Sequence, residues 1–271
     1  MLRFRNRLAL LDVRSDDFLN TLVQLGGYCT VGQAKRFGIA NSDTRALAQL
    51  RTFEENGFLR RVASYPVVYQ VTKSATRLGA ADRRARRTHR PKTVLNRLLA
   101  VDFYLDARGW PAEFVFDHEM KITTLTQRGC PLNAVPHRGG KPYVWEEFFL
   151  CVGDSSVAIA LVDNQQRSPF SQSKKLAERF LPTLRFLPPY SSLLIVTGSH
   201  TRQQGYERVL KHPDLKRAQA AAPIPVETYQ IEPSTKFFAQ ADPPTNHNHE
   251  RRPTRDRPRS PVWATNPGPM R

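Results

Sequence analysis

Three helix-length segments, each ending at a glycine, constrain the fold of the N-terminal third more than any other feature of the chain. They run from about Ser15 to Gly26, from Val31 to Gly38 and from Ser42 to Gly57. Ser15 can cap the first helix and either Asn41 or Ser42 the third, and glycine readily takes the left-handed conformation that ends helices. The apolar residues recur at helical spacing, at Phe18, Leu19, Leu22, Val23, Leu25, Ala34, Phe37, Ala46, Leu47, Leu50 and Phe53.

Two strand-length segments follow the third helix directly. They cover Phe58–Arg61 and Val67–Val71, on either side of the turn Ser64-Tyr65-Pro66, and Thr72 can cap a further helix. Two helices joined by a short glycine turn form a helix-turn-helix, and the two strands that follow would form a wing. The sequence therefore predicts a winged helix-turn-helix over residues 10–82.

Such a module places the start of its third helix in the DNA major groove. Base contacts are then expected from the exposed residues there, Ser42, Asp43, Thr44, Arg45 and Gln49. Phosphate contacts are expected from basic residues around them, Arg36, Arg51, Arg60, Arg61 and Lys73. The alternative is a winged helix that packs against another protein, with the basic residues forming a solvated surface.

Positive charge is concentrated in the same part of the chain. The sequence has 41 Lys and Arg against 24 Asp and Glu, a formal net charge of +17, and residues 1–92 hold 18 of the basic residues and 7 of the acidic ones. This distribution favours a polyanionic partner, double-stranded DNA in particular. An Arg-rich linker at 83–92 either grips phosphates or acts as a flexible hinge, and its central arginines are Arg83, Arg84, Arg86 and Arg87.

Several classes of protein are disfavoured by what the sequence lacks. No apolar run approaches the roughly 20 residues that span a bilayer, and no signal-peptide core is present, so a cytoplasmic protein without membrane contact is expected. The cysteines, Cys29, Cys130 and Cys151, are odd in number and widely spaced, which argues against disulfides and metal knuckles. No glycine-rich phosphate loop occurs, so no nucleotide cofactor is expected. No metal is expected either, since His247 and His249 have no neighbouring cysteine.

The region 93–232 alternates helical and strand-like segments. A helix is predicted at 93–108, followed by strands at 113–117, 143–152, 156–162, 192–197 and 225–231. Further helices are predicted at 171–187, interrupted near Pro182, and at 202–211. The order helix, three strands, helix, strand is that of a PD-(D/E)XK nuclease-like α/β core. Residues 233–271, rich in Pro and Arg, are expected to be a disordered tail, and the fold class is α+β.

Three segments resemble the replication-relaxation family of bacterial plasmids and mobile elements. They are ALAQLRTFEENGFLRR, VVYQVTKSATRLG and AIALVDNQQRSPFSQSKKLAERFLPTL, within about residues 15–200. The resemblance implies a winged helix followed by a nuclease-like domain. A similar layout occurs in antitoxins of the AbiEi kind, so the layout alone does not fix the biological role.

An active nuclease of this type needs two carboxylates to hold Mg²⁺ and a lysine close by. Asp163 follows the third strand, but Gln165 stands where the lysine belongs, and Pro136-His137 stands where the family tends to have Pro-Asp. Replacement ligands could come from Glu113, Asp117, Glu146 or Glu147, and a replacement lysine from Lys174 or Lys175. We therefore expect an inactive remnant used for dimerisation or for gripping DNA.

The leading hypothesis is a DNA-binding protein of a plasmid or integrated element. It would act in replication control, mobilisation or transcriptional regulation, and it would bind DNA rather than cut it. The alternatives are a metal-dependent PD-(D/E)XK nuclease and a non-catalytic partner of a relaxase or transfer complex. A homodimer and a complex with a replication or conjugation protein both stay open as partners.

Overall fold

The computed structural model describes residues 11–64, 66–76, 89–144, 148–163, 179–211 and 226–231, and these form a mixed α+β structure. The helices are α1 Val13–Gln24, α2 Val31–Phe37, α3 Asp43–Glu55, α4 Lys73–Thr76, α5 Pro91–Ala107, α6 His118–Gln127, α7 (179–184) and α8 His200–Leu210, with a 3-10 turn at Leu132–Ala134. The strands are β1 Tyr28–Thr30, β2 Leu59–Ser64, β3 Val67–Val71, β4 Glu113–Val115, β5 His137–Arg138, β6 Lys141–Pro142, β7 Phe148–Val152, β8 Val157–Val162, β9 Ser192–Thr197 and β10 Val226–Gln230.

Helices α1 to α3 pack against a three-stranded antiparallel sheet with the strand order β1-β3-β2. The ends of these helices are set by side chains within a few positions and by glycine. Thr30 and Gln33 form a reciprocal capping box at the start of α2, and Gly38 ends that helix with a φ of 87°. Helix α3 starts at the N-cap Ser42, whose side chain accepts a hydrogen bond from the Arg45 backbone N–H.

The first helix starts earlier than the sequence predicts. Asp12, not Ser15, is its N-cap, because the Asp12 carboxylate accepts the backbone N–H of Ser15 at 2.8 Å. Ser15 lies inside the helix and is buried. The prediction of a cap at Ser15 is therefore wrong: a cap there would accept the backbone N–H of Asp17 or Phe18, whereas the Asp12 carboxylate accepts the N–H of Ser15 itself and the helix begins at Val13.

A second, five-stranded sheet has the order β10-β9-β8-β7-β4. Strands β4, β7 and β8 are antiparallel neighbours, whereas β8, β9 and β10 run parallel. Alternate residues face opposite sides, so Phe148, Leu150 and Ile159 enter one core, and Phe149 and Ala160 enter the other. Strand β7, which carries Phe148 and Phe149, is therefore buried on both faces.

Helix α5 joins the two sheets. Its early residues Val94 and Leu98 pack with Tyr28 and Val68 of the three-stranded sheet, whereas Phe103 belongs to the core that covers one face of the five-stranded sheet. The opposite face of that sheet is covered by α6, the 3-10 turn and α7. The two halves of the chain therefore share a continuous apolar core through α5.

Some predicted boundaries in the second half change. The strand predicted at 143–152 begins at Phe148, since 143–144 are not strand and 145–147 lie outside the described residues. The helix predicted to break near Pro182 continues through it to residue 184. The linker arginines and the tail also lie outside the described residues. Among the described helices, none is long and apolar enough to cross a bilayer.

Candidate nucleic-acid interface

Helix α3 has one buried face and one open face. Ala46, Leu50 and Phe53 point into the core at helical spacing and are at most 2% exposed. The opposite face carries exposed polar and small residues, namely Thr44, Arg45, Ala48, Arg51, Thr52 and Glu55. A helix held on one side by a close-packed core can present the other side, without distortion, to a large partner.

The residues predicted to contact bases are not equally placed. Thr44 and Arg45 are exposed in the first turn, and Arg45 Nη1 donates to Asn41 Oδ1 at 3.1 Å, which orients the guanidinium beside the helix start. Asp43 is 67% exposed and lies 3.4 Å from Lys35 Nζ. Gln49 is only half-exposed and lies toward the side of the helix, so Thr44 and Arg45 are the better placed.

Strand β2 carries two of the basic residues expected at phosphates. Arg60 donates through Nε and Nη2 to Oε1 of the buried Gln70, at 3.0 and 2.7 Å, which fixes its guanidinium against the sheet. Arg61 is exposed, and its backbone N–H donates to Glu54 Oε1 at 3.0 Å, which ties β2 to the end of α3. Arg51 on α3 and Lys73 at the start of α4 are also exposed.

Arg36 is engaged inside the protein. Its Nη1 lies 3.1 Å from Asp102 Oδ1 and its Nη2 lies 2.6 Å from Asp106 Oδ1, both on α5. The Asp102 side chain is fully buried. The Arg36 guanidinium, which was predicted to contact phosphate, instead links α2 to α5. Arg36 and Asp102 are 66 positions apart in the sequence, so local sequence patterns do not reveal this contact.

Asp163, the carboxylate expected at a nuclease centre, is also engaged. The carboxyl ends of the parallel strands β8 and β9 meet at one edge of the sheet, so the first turn of α8 faces Asp163. Arg202 Nη2 lies 2.8 Å from Asp163 Oδ2, and the buried Tyr206 hydroxyl donates to the same oxygen. The aspartate is 6% exposed, and its charge is balanced by a guanidinium, which would repel Mg²⁺.

The other predicted metal ligands do not join Asp163. Glu113 on β4 lies opposite Val152 on β7, and Val152 lies opposite Val157, the first residue of β8. Asp163 follows the last residue of β8, so the two carboxylates lie at opposite ends of the sheet. At 3.3 Å per residue along β8 they are roughly 20 Å apart. Asp117 caps α6 by accepting the backbone N–H groups of Glu119 and Met120. His137 is exposed on β5, next to the buried Pro136.

Several predicted residues lie outside the described ranges, namely Glu146, Glu147, Lys174, Lys175, Arg83, Arg84, Arg86 and Arg87. Within those ranges, no cluster of three or more His, Cys, Asp or Glu side chains could hold a metal ion. The three cysteines are buried and unpaired, as expected of small apolar core residues. Burial raises the pKa of the Cys130 thiol to about 11 and that of Cys151 to about 12.

One cluster had no counterpart among the sequence predictions. His89 Nδ1 lies 2.8 Å from the Tyr28 hydroxyl and 3.4 Å from Arg97 Nη1, and Arg97 also donates to the Gly26 carbonyl at 2.8 Å. Burial, followed by the charge of Arg97, lowers the pKa of His89. The cluster fixes the start of α5 to β1, and its residues are too far apart in sequence for a motif to reveal it.

No family model matches the chain, and no match is found among the curated proteins or the solved structures compared with it. The resemblance to replication-relaxation proteins therefore stays a prediction from the three sequence segments.

Proposed function

We propose that this chain is a double-stranded DNA-binding protein that uses residues 13–71 as a winged helix, with α3 as its recognition helix. The observation that carries the proposal is the open face of α3, which starts at a capped, exposed turn bearing Thr44 and Arg45. The element order helix, strand, two helices, two strands and the sheet order β1-β3-β2 suit this module. A recognition helix of this kind contacts base edges through its first turns.

Electrostatics support the same partner. Arg45 and Arg51 lie on α3, Arg61 lies on the adjoining strand β2 and Lys73 starts α4. All four are exposed, and they belong to the third of the chain that holds most of the net positive charge. Neutralising phosphates releases condensed counterions, so basic residues around a recognition helix raise affinity for any duplex. Arg36 is not assigned to phosphate, because two aspartates already bind it.

The proposed function is binding without cleavage. The ion pair between Asp163 and Arg202 and the distance of Glu113 from Asp163 both disfavour a two-carboxylate magnesium site. We assign the region from α5 to β10 to a PD-(D/E)XK-like scaffold, supported by the antiparallel neighbours β4, β7 and β8 and by the parallel strands β9 and β10 beside them. The order departs from the predicted run of three consecutive strands, because α6 and the β5–β6 hairpin lie between β4 and β7. We also propose that this DNA binding serves replication control, mobilisation or transcription on a mobile element. This part of the proposal is drawn from the family resemblance.

Selection from a random duplex pool tests the proposal. We expect the purified protein to enrich a defined motif, because contacts from Thr44 and Arg45 discriminate among base edges. Arg45→Ala is expected to degrade the motif at one or two positions, whereas Arg185→Ala, which removes an exposed arginine at the end of α7, is expected to leave it intact. Enrichment of no motif, or the same motif with Arg45→Ala, would contradict the role given to α3.

A further inference from the structure

A small two-stranded hairpin stands apart from both sheets. Strands β5 and β6 pair through His137 with Pro142 and Arg138 with Lys141, and the turn between them is Gly139-Gly140. Both glycines have positive φ, 60° and 77°, which is the conformation of a type I′ turn. A Cβ built on either glycine meets no atom within 4 Å, so the tip projects into open space.

The root of the hairpin is firmly anchored. The Tyr143 backbone N–H donates to the Pro136 carbonyl at 2.7 Å, which closes the base of the ribbon. The Tyr143 ring lies 4.5 Å from the His118 ring, and His118 Nδ1 lies 3.2 Å from the Val144 carbonyl oxygen. Val135 and Val144 are buried in the core beneath α6 and α7. The ribbon therefore has a rigid base and an exposed tip.

The exposed residues of this ribbon are basic. Arg138 and Lys141 are exposed and face each other across the ribbon, and neither forms an ion pair with any residue that the structure describes. The Arg138 guanidinium lies 5.3 Å from the Tyr143 ring centroid, which holds it near the root while leaving its polar edge toward solvent. Holding two cations together without a counter-charge favours an anionic partner.

The hairpin and the proposed recognition helix belong to different layers of the molecule. Helix α5 lies on one face of the five-stranded sheet and the N-terminal helices pack against α5, whereas the hairpin root belongs to the layer on the other face. Packed layers are about 10 Å apart, so at least two layers, or roughly 20 Å, separate them. At 3.4 Å per base pair this is about six base pairs of duplex, so a duplex contacted by both elements must extend beyond the segment that α3 covers.

From this arrangement we infer that the β5–β6 hairpin is a second DNA-contacting element, which binds backbone phosphates of duplex flanking the segment contacted by α3. A two-stranded ribbon is narrow enough to approach a groove, and Arg and Lys are the residues that most often bind phosphate. Such contacts carry no sequence information and add affinity on long duplexes. The inference rests on the proposed function of α3, and it adds the β5–β6 hairpin as a second DNA-contacting surface.

The test compares short and long duplexes. We would measure the dissociation constant of the full chain for a duplex of about 12 base pairs holding the selected motif, and for the same motif centred in about 40 base pairs, roughly 136 Å of helix. The wild type should bind the long duplex at least tenfold more tightly. Arg138→Ala with Lys141→Ala should remove most of that gain, and should lower the salt slope on the long duplex by about 2, at 0.9 per phosphate contact.

Matched variants distinguish the effect of the hairpin residues on DNA affinity from the effect of losing any two positive charges. Arg185→Ala with Lys211→Ala removes two exposed cations elsewhere and should keep the gain on the long duplex. Gly140→Val keeps both cations but disfavours the positive φ of the turn, so it should lose part of the gain. All these positions are exposed, so the thermal midpoints should stay within a few degrees of wild type.

The outcomes distinguish this inference from the proposed function. If the hairpin variant keeps the full gain and the full salt slope while the wild type still binds its motif, the hairpin inference is overturned and α3 keeps its role. If the control pair loses as much as the hairpin pair, the gain is a general charge effect and the inference is also overturned. If the wild type binds no duplex, both the proposed function and the hairpin inference fail.

Discussion

Arg36 on α2 donates to the fully buried carboxylate of Asp102 on α5 at 3.1 Å, and this ion pair links the N-terminal helices to the helix that lies on the five-stranded sheet. The second hydrogen bond of Arg36, to Asp106 at 2.6 Å, is nearer the surface. One side chain thus connects the region proposed to bind DNA with the scaffold behind it.

Removing Arg36 should destabilise the fold more than its partial exposure suggests. Arg36→Met takes the guanidinium from a buried carboxylate, and we expect a loss of about 2 kcal/mol or more in the free energy of unfolding, measured by urea denaturation. The neighbouring Lys35→Met is the control, because its partner Asp43 is 67% exposed and such pairs contribute under about 1 kcal/mol. Equal losses in the free energy of unfolding of the two variants would show that the ion pair between Arg36 and Asp102 adds no stability beyond that of an exposed pair.

The pair Asp163 and Arg202 makes a similar prediction in the second half of the chain. Arg202→Met leaves a carboxylate that is 6% exposed without its cation, and we expect it to lower the free energy of unfolding by about 3 kcal/mol. Arg208→Met, at an exposed position on the same helix, should change it by no more than about 0.5 kcal/mol. Adding Asp163→Asn to Arg202→Met should recover part of the loss, whereas a further loss would contradict the pairing.

His89 should make stability depend on pH. Its Nδ1 lies 2.8 Å from the Tyr28 hydroxyl and 3.4 Å from Arg97 Nη1, and its pKa in the folded state is lowered, chiefly by burial. Below about pH 6.5 the unfolded chain therefore binds a proton that the folded chain resists, so the free energy of unfolding should fall as the pH drops from 7 toward 5. His89→Gln should flatten that part of the pH profile, and an unchanged profile would contradict the assignment.

The cysteines should be inert in the native protein. All three thiols are buried, and burial raises the pKa of Cys130 to about 11 and of Cys151 to about 12. We expect alkylation at pH 8 to label none of them within minutes under native conditions and all of them in guanidinium chloride, as followed by mass spectrometry. Fast labelling of any cysteine in the native protein would contradict the described core.

Local sequence patterns predicted most of the elements well. The bounds of α2, the end of α3 and its cap at one of the two predicted residues follow from helical spacing, glycine and capping residues. Strands β3 and β9 follow from short apolar runs, and all of these signals act within a few positions. The expectation of an α+β chain is also confirmed. Strand β1, with only three residues, and the β5–β6 hairpin were missed because they are too short to show periodicity. Helix α6 was also missed, because only Lys121 and Leu125 of its ten residues are buried and it therefore has little apolar periodicity.

The candidate site was less predictable, because long-range pairing decides what a charged residue does. Arg36 and Asp163 have the residue types expected for phosphate and metal binding, yet each is bound by charged residues at least 39 positions away. Glu113 is separated from Asp163 by strand register, which depends on the pairing of three strands. Thr44 and Arg45 stayed available because the start of a capped helix faces outward, and local spacing does show that.

A salt titration of DNA binding tests the central claim most directly. We would measure binding to the selected motif and to a scrambled duplex from 50 to about 200 mM salt with Mg²⁺ present, for the wild type, Arg45→Ala and Arg185→Ala. The account predicts tighter binding to the motif, a preference reduced by about 1–3 kcal/mol only in Arg45→Ala, and uncut DNA throughout. Equal affinity for both duplexes, or Mg²⁺-dependent cleavage, would contradict it.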